Sequence, residues 1–290
     1  MRIGGTTAVY GVIGDPVSHS LSPRMQNRAM EAMGLDAVYV AFRVAPDGLG
    51  DAVSAMRALS IRGFNVTVPH KTAVIPYLDR LTEAAESVGA VNTVIRDGDS
   101  LVGDNTDVHG FLMCVLEDGG IGRFPERVCV LGAGGAARGI VCACAGRPEV
   151  KEIAVVNRTL ARAVEIADRF SRVTGARITA HPAEPAEFRK ILPGAGMIVN
   201  TTTVGMIPDT ERSPVPEPEV IGKGQVVCDI IYTPRRTKLL CDAEARGART
   251  VGGLGMLVHQ GARSLSLWTG REAPVAFMRE ELERALAENN

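Results

Sequence analysis

Residues 128–139, Val-Cys-Val-Leu-Gly-Ala-Gly-Gly-Ala-Ala-Arg-Gly, constrain the fold more than any other stretch of the chain. Four apolar residues run into Gly132-Ala133-Gly134-Gly135-Ala136-Ala137, and a helix-forming segment, 138–145, follows. That order predicts a buried parallel strand, a tight turn and a helix start, the setting in which a glycine pattern signals dinucleotide binding. Gly132 permits the sharp turn, and Gly134 lets backbone amides approach a pyrophosphate. Ala137 holds the third small position, where the helix packs on the strand. The helix N-terminus adds unpaired N–H groups and a positive dipole end. The competing reading is an ordinary glycine-rich turn, and the flanking strand and helix argue against it.

The next strand speaks to the choice of cofactor. The run 152–156 ends in Asn157-Arg158-Thr159, with Arg162 one helical turn on. A site for NAD places Asp or Glu about 20 residues beyond the glycine loop, on the ribose 2′-hydroxyl, whereas an Arg accommodates a 2′-phosphate. Residues 157–162 hold two guanidiniums and no carboxylate. A planar, permanently charged fork suits a phosphate. The expectation is NADP(H), against the plainer reading of a solvated basic helix start.

A chain of 290 residues suits two domains. A formal net charge of −1 gives no reason to expect nucleic acid or a membrane surface as partner. No apolar run approaches the ~20 residues of a membrane span, and the start, Met1-Arg2-Ile3-Gly4-Gly5, lacks the apolar core of a signal peptide. The expected location is cytoplasmic. The six cysteines (114, 129, 142, 144, 228, 241) have neither zinc-ligand nor Cys-x-x-Cys spacing and read as buried free thiols. The five histidines are dispersed, and no metal is expected.

From the start, a strand at 8–13 breaks at Gly14-Asp15-Pro16. Ser18-His19-Ser20-Leu21-Ser22-Pro23 then leads into a helix at 24–33. Pro23 suits the first turn and Ser22 the N-cap, which leaves Ser18 and Ser20 able to converge on a carboxylate or a sugar-like ring. A strand at 37–44 and a helix at 49–59 follow. The third strand, Gly63-Phe64-Asn65-Val66-Thr67-Val68-Pro69-His70-Lys71, places Asn65, Thr67 and Lys71 toward its C-terminal end, where open α/β sheets bind ligands. A helix at 82–88 precedes Gly89-Ala90-Val91-Asn92-Thr93. A hairpin turning at Asp97-Gly98 returns to Gly103-Asp104-Asn105-Thr106-Asp107. Asp107 could do no more than cap a helix at 108–116.

Gly119-Gly120-Ile121-Gly122 reads as a hinge-like connection into the second domain. That domain continues as strand 152–156, helix 160–172 and strands 176–180, 196–200 and 225–230. Thr201 and Ile230 stand at strand ends, Ile230 as an apolar wall for a nicotinamide ring. A helix at 238–246 and a short strand at 250–251 follow. A long helix from Gly252-Gly253-Leu254 to Leu267 and another at 274–287 have no strand after them. They are expected to pack back onto the N-terminal domain, leaving a cleft between two lobes.

Taken in order, Ser18 to Pro23, Asn65 to Lys71, Gly89 to Thr93, Gly103 to Asp107, Gly132 to Ala136, Asn157 to Thr159 and Gly255-Met256-Leu257-Val258-His259-Gln260 resemble the shikimate dehydrogenase family. The series covers the chain from about residue 8 to 260. Each motif alone is weak, and the ordered series is specific. The resemblance implies an α/β fold of two lobes. Residues 1–107 plus 253–290 would form the substrate-binding and catalytic domain. Residues 108–252 would form a Rossmann-like, doubly wound NADP-binding domain. It further implies NADP-dependent, reversible reduction of 3-dehydroshikimate to shikimate, in the route to the aromatic amino acids.

Carried over by position, the resemblance puts Ser18 and Ser20 on the shikimate carboxylate, with Tyr232 close to that side. It puts Thr67, Asn92, Asp107 and Gln260 on the ring hydroxyls and makes Lys71 the catalytic lysine, paired with Asp107. Gly132, Ala133, Gly134, Gly135, Ala136, Asn157, Arg158, Thr159, Arg162, Thr201, Ile230 and Gly253 would hold the cofactor. The sequence departs from the family pattern at Ala137, where many relatives have Ser, and at Gly252, where some have Asp; neither is a catalytic position. The residue types suit the chemistry. An ammonium can stabilise or protonate an oxyanion, and a ring with several hydroxyls needs convergent hydrogen bonds. A quinate/shikimate dehydrogenase of relaxed specificity and a non-catalytic NADP(H)-binding sensor are the rival readings. The basic patch argues against the first where NAD is preferred, and the Lys71–Asp107 pair against the second. A homodimer is left open.

Overall fold

The computed structural model describes residues 3–172 and 174–288. The outermost positions of the expected discontinuous domain, 1–2 and 289–290, lie outside the described residues. The chain forms two compact units, residues 1–110 with 257–290, and residues 111–256.

The first unit is built on β1 (Ala8–Gly14), α1 (Ser22–Ala32), β2 (Ala37–Arg43), α2 (Leu49–Ala58) and β3 (Gly63–Val66). It continues with β4 (Arg80–Leu81), α3 (Glu83–Val88), β5 (Thr93–Asp97), β6 (Ser100–Asp104) and the start of α4 (Asp107–Met113). The sheet order is β2-β1-β3-β5-β6-β4. β1 runs parallel to both its neighbours, because the helical crossovers α1 and α2 return the chain to the same edge. β5 then reverses direction against β3 and β6. One core collects Ile13, Leu49, Val53, Met56, Phe64 and Val66. Two local expectations shift. The hairpin turn is Gly98-Asp99 rather than Asp97-Gly98, since Asp97 pairs with Ser100 and Gly98 takes the positive φ of +61°. Ser22 is not the N-cap of α1 but its first residue, after Leu21, and the Ser20 hydroxyl accepts from the Ser22 N–H at 3.3 Å.

The second unit holds β7 (Arg127–Leu131), α5 (Gly135–Ala145), β8 (Glu152–Asn157), α6 (Leu160–Ser171), β9 (Arg177–Pro182) and α7 (Pro185–Ile191). It is completed by β10 (Met197–Asn200), β11 (Val226–Asp229), α8 (Lys238–Ala245) and β12 (Arg249–Val251). Its sheet is parallel throughout, in the order β12-β11-β10-β7-β8-β9. Counted from β7, this is the doubly wound dinucleotide-binding order, with the switch point between β7 and β10. Val128, Val130, Ile153, Val155, Ile198 and Val199 are buried, as expected of strands covered on both faces. The sequence reading passed over α7. It is seven residues long, buries only Phe188, and lies where Pro182 and Pro185 suggest a loop.

The C-terminal helices α9 (Leu254–Thr269) and α10 (Val275–Glu288) follow β12. Within the first unit α10 lies on α1, with ion pairs Arg24–Glu288 and Arg28–Glu281 along the seam. The Trp268 indole on α9 donates to the Val94 carbonyl at 3.0 Å and lies against the rings of Tyr10 and Tyr39. Gly63 makes room for it, since a Cβ there would come within 2.2 Å of the indole nitrogen. Among the described residues no helix is long and apolar enough to cross a membrane.

Candidate active site

In the first unit, backbone hydrogen bonds bring three separate segments together. The Val66 N–H donates to the Asn92 carbonyl at 2.8 Å, Val91 N–H to the Lys71 carbonyl at 2.7 Å, and Asn92 N–H to the Asp104 carbonyl at 3.1 Å. Lys71, Asn92 and the 105–107 turn are thus fixed by main chain before any side chain is placed. Lys71 Nζ then donates to Asp107 Oδ2 at 2.5 Å, with the two side chains only 13% and 4% exposed. Asn92 Nδ2 donates to Asp107 Oδ1 at 2.9 Å and to Gln260 Oε1 at 3.3 Å. Each carboxylate oxygen of Asp107 accepts from a named donor, so Asp107 opens α4 without spending its side chain as the cap. Burying such a pair is costly, and losing one partner strands the other, typically at about 3–5 kcal/mol.

Thr67 follows β3 and packs against the end of β1, where a Cβ on Gly14 would lie 2.5 Å from its methyl group. Because β1 and β3 are parallel neighbours, the serine loop and the 67–71 segment leave the same end of the sheet. Ser18 is exposed and Ser20 half-buried. Asn65 stands apart from Thr67 and Lys71. It is buried, accepts from the Tyr39 hydroxyl at 2.7 Å and donates to Ser264 Oγ at 3.0 Å.

In the second unit the glycine loop has the geometry its sequence requires. Gly132 has φ +110°, and a Cβ there would fall 2.4 Å from Thr201 Oγ1. That hydroxyl is occupied in donating to the Leu131 carbonyl at 2.7 Å. A Cβ at Gly134 would meet no heavy atom within 4 Å, so the backbone is open to approach just before Gly135 and Ala136 start α5. Gly132 N–H donates to the Val156 carbonyl at 2.8 Å, which sets the glycine loop beside Asn157-Arg158-Thr159. Asn157 Nδ2 bonds the Thr159 carbonyl at 2.9 Å, while Arg158 and Arg162 are exposed. Ile230 N–H donates to the Asn200 carbonyl at 3.2 Å. A Cβ on Gly253 would strike the Ile230 carbonyl at 2.2 Å, which accounts for a glycine there. Thr201, Ile230 and Tyr232 follow the C-terminal ends of β10 and β11, and Gly253 follows β12. A left-handed turn, an uncovered glycine and two exposed guanidiniums fit a dinucleotide with a 2′-phosphate.

Three segments match known families: 12–94 the shikimate dehydrogenase substrate binding domain, 122–203 shikimate / quinate 5-dehydrogenase, and 253–283 the shikimate 5′-dehydrogenase C-terminal domain. A shikimate dehydrogenase (NADP(+)) of Geobacter metallireducens is 45% identical over 99% of this chain and 99% of its own length. The chain belongs to the shikimate dehydrogenase family. Among solved structures, the shikimate 5-dehydrogenase of Thermus thermophilus in complex with NADP(H) and shikimate is 37% identical, with a TM-score of 0.83. That match covers 96% of this chain and 100% of the other. The quinate dehydrogenase of Corynebacterium glutamicum in complex with NAD is 30% identical, with a TM-score of 0.85 over 96% of this chain and 99% of its own. Fold alone therefore does not separate shikimate from quinate members of the family.

Sequence reading gave no part to two buried features. Asp229 ends β11 almost wholly buried, accepting from Thr237 Oγ1 at 2.7 Å, Asn200 Nδ2 at 3.0 Å and the Ile231 N–H at 3.1 Å. Burial pushes its carboxyl up to about 6 although all three bonds pull it down. The available signal was a carboxylate closing the apolar run Val226-Val227-Cys228. Ser264, fully buried on the inner face of α9, was likewise passed over. The thiols differ from expectation at two places, since Cys241 on α8 is exposed and Cys142 on α5 only partly buried.

Proposed function

We propose that this chain is an NADP-dependent shikimate dehydrogenase, reversibly reducing 3-dehydroshikimate to shikimate in the route to the aromatic amino acids. Bound NADP(H) supplies the hydride chemistry. The protein's own part is to place the substrate and manage one proton. Lys71 Nζ carries three hydrogens and Asp107 takes one of them, at 2.5 Å. The others remain for a carbonyl oxygen that gains negative charge as it is reduced, and the ammonium stabilises and protonates it there. Asp107 holds Nζ in place and shares the proton, so the two act as a coupled pair. Asn92 and Gln260 join the same cluster and, with Thr67 and Asp107, bind the ring hydroxyls. Ser18 and Ser20 take the carboxylate.

Gly132, Ala133, Gly134, Gly135 and Ala136 would hold the cofactor's pyrophosphate. Arg158 and Arg162 would hold its 2′-phosphate, with Asn157 and Thr159 shaping that loop. Thr201, Ile230 and Gly253 would border the nicotinamide, which supplies the hydride when bound. The enzyme works in the cytoplasm, and sedimentation velocity decides between monomer and homodimer.

The observation that carries this reading is the buried Lys71–Asp107–Asn92 cluster in a chain of this family. Its test is Lys71→Met, assayed for shikimate oxidation and for shikimate binding by calorimetry. Turnover lost with binding retained supports the reading. Turnover retained would overturn it. Exposed guanidiniums at 158 and 162 favour NADP over the NAD-linked quinate alternative.

A further inference from the structure

Behind Asp107 the hydrogen bonds do not stop. Asn92 Oδ1 accepts from the Thr106 N–H at 2.7 Å and from Thr93 Oγ1 at 3.0 Å, which turns the Asn92 NH2 group toward Asp107. Thr93 Oγ1 lies 2.8 Å from Ser264 Oγ; with Thr93's one hydrogen on Asn92, Ser264 is the donor of that contact and shares its single hydrogen between Thr93 and the Gln260 carbonyl at 3.0 Å. Asn65 Nδ2 donates to Ser264 Oγ at 3.0 Å and to Thr93 Oγ1 at 3.2 Å, and its own carbonyl is held by Tyr39. Thr93 and Ser264 are fully buried, and Asn65, Asn92 and Tyr39 nearly so.

The chain of bonds therefore runs from the Tyr39 hydroxyl through Asn65, Ser264, Thr93 and Asn92 to Asp107 and Lys71. It links β2, β3, β5, α4 and α9 within one unit. A carboxamide has two ends of nearly equal shape, and the only thing that selects one orientation is the set of partners around it. With its oxygen facing donors on one side, Asn92 must present its NH2 to Asp107. Rotated by half a turn, it would place its oxygen against the Asp107 carboxylate, oxygen facing oxygen, in a buried site.

We propose that the Thr93 hydroxyl, seated on Ser264, is a positioning group for the proton-transfer pair: together with the Thr106 N–H it fixes the Asn92 amide orientation that keeps Asp107 aimed at Lys71. This rests on the assignment of Lys71 and Asp107 to proton transfer. Thr93 touches neither partner, and its effect passes through Asn92.

The test compares Thr93→Val, which keeps the shape and removes the hydroxyl, with Thr93→Ser, which keeps the hydroxyl and removes the methyl. The expected result is a fall in kcat of about 10-fold for Thr93→Val, the scale of one misplaced catalytic contact, with the KM for NADP unchanged. Thr93→Ser should return kcat to within about twofold of wild type. An unchanged kcat in Thr93→Val would overturn the proposal, and so would an equal loss in both variants, since neither traces the effect to the hydroxyl. Where Thr93→Val does not yield folded protein, Ser264→Ala carries the same test by removing the hydroxyl's seat, with a loss of kcat expected and its absence overturning the proposal. Lys71→Met run in parallel separates the failures. If that variant keeps its turnover, the assignment of the pair has failed and the positioning role falls with it. If it loses turnover while Thr93→Val does not, only the positioning role is wrong.

Discussion

The two chemically charged regions of this molecule are built on opposite principles. Lys71, Asn92 and Asp107 are buried and bonded to one another at 2.5–2.9 Å, with a further layer of hydroxyls and amides behind them. Arg158 and Arg162 are exposed at the start of α6, next to a glycine loop with open space over Gly134. The first region works by geometry, because a proton moves well only between atoms held in hydrogen-bond reach. The second works by charge, and an Arg fork on a flexible stem finds a phosphate without being held in advance. Substitutions in the first should therefore act on kcat, and substitutions in the second on cofactor affinity.

The largest expected effect is that of Lys71→Met, a loss of about 10²–10⁴-fold in kcat, typical of removing a positioned acid or base. Steady-state assays with shikimate read it directly. A loss appearing only in KM would break the comparison, placing Lys71 among the binding groups.

Asp229 extends the buried class into the second unit. Its carboxyl, pushed up to about 6, holds a proton more tightly when folded than when unfolded. The stability it contributes is thus fully present below the unfolded carboxyl range, near 4, and is lost as pH rises through 6. The amount is about 2–3 kcal/mol. Urea midpoints at pH 5 and 7.5 should differ less in Asp229→Asn than in wild type, because the variant lacks this titration. Identical pH dependence in the two would show that Asp229 does not titrate as its burial implies.

Arg158→Ala and Arg162→Ala come next, each expected to raise the KM for NADP about 10-fold or more while leaving that for NAD near wild type. The effect should shrink at high salt, as it does for exposed charges. Equal losses with both cofactors would move these arginines away from the 2′-phosphate. The smallest effect concerns the thiols. Cys241 is exposed, whereas burial pushes Cys129 up to about 12. A thiol reagent should label Cys241 first, and Cys241→Ser should remove that fast phase without altering turnover.

The parallel strands were legible because they are short continuous apolar runs ending in glycine or polar residues, and Gly132 announced its own positive φ. Lys71, Asn92 and Asp107 were legible as a family series, but residue type alone left Asp107 as readable as a helix cap. Only the main-chain bonds joining residues 71, 91, 92 and 104 put the three side chains in one place. Ser264 was invisible for the same reason. A serine in an apolar helix reads as a tolerated small residue until the facing Asn65 and Thr93 are seen. Helix α7 was lost because a seven-residue helix burying a single Phe carries too little periodicity to stand out from its prolines. Long-range partners, which no local pattern encodes, account for most of what the sequence withheld.

The central claim is tested most directly by following cofactor reduction through its near-ultraviolet absorbance, with shikimate and quinate each offered with NADP and with NAD. Turnover confined to shikimate with NADP is the predicted result. Comparable rates with quinate or NAD would contradict the assigned specificity and the role given to Arg158 and Arg162. Tight NADP binding with no turnover in any pairing would contradict the catalytic account itself.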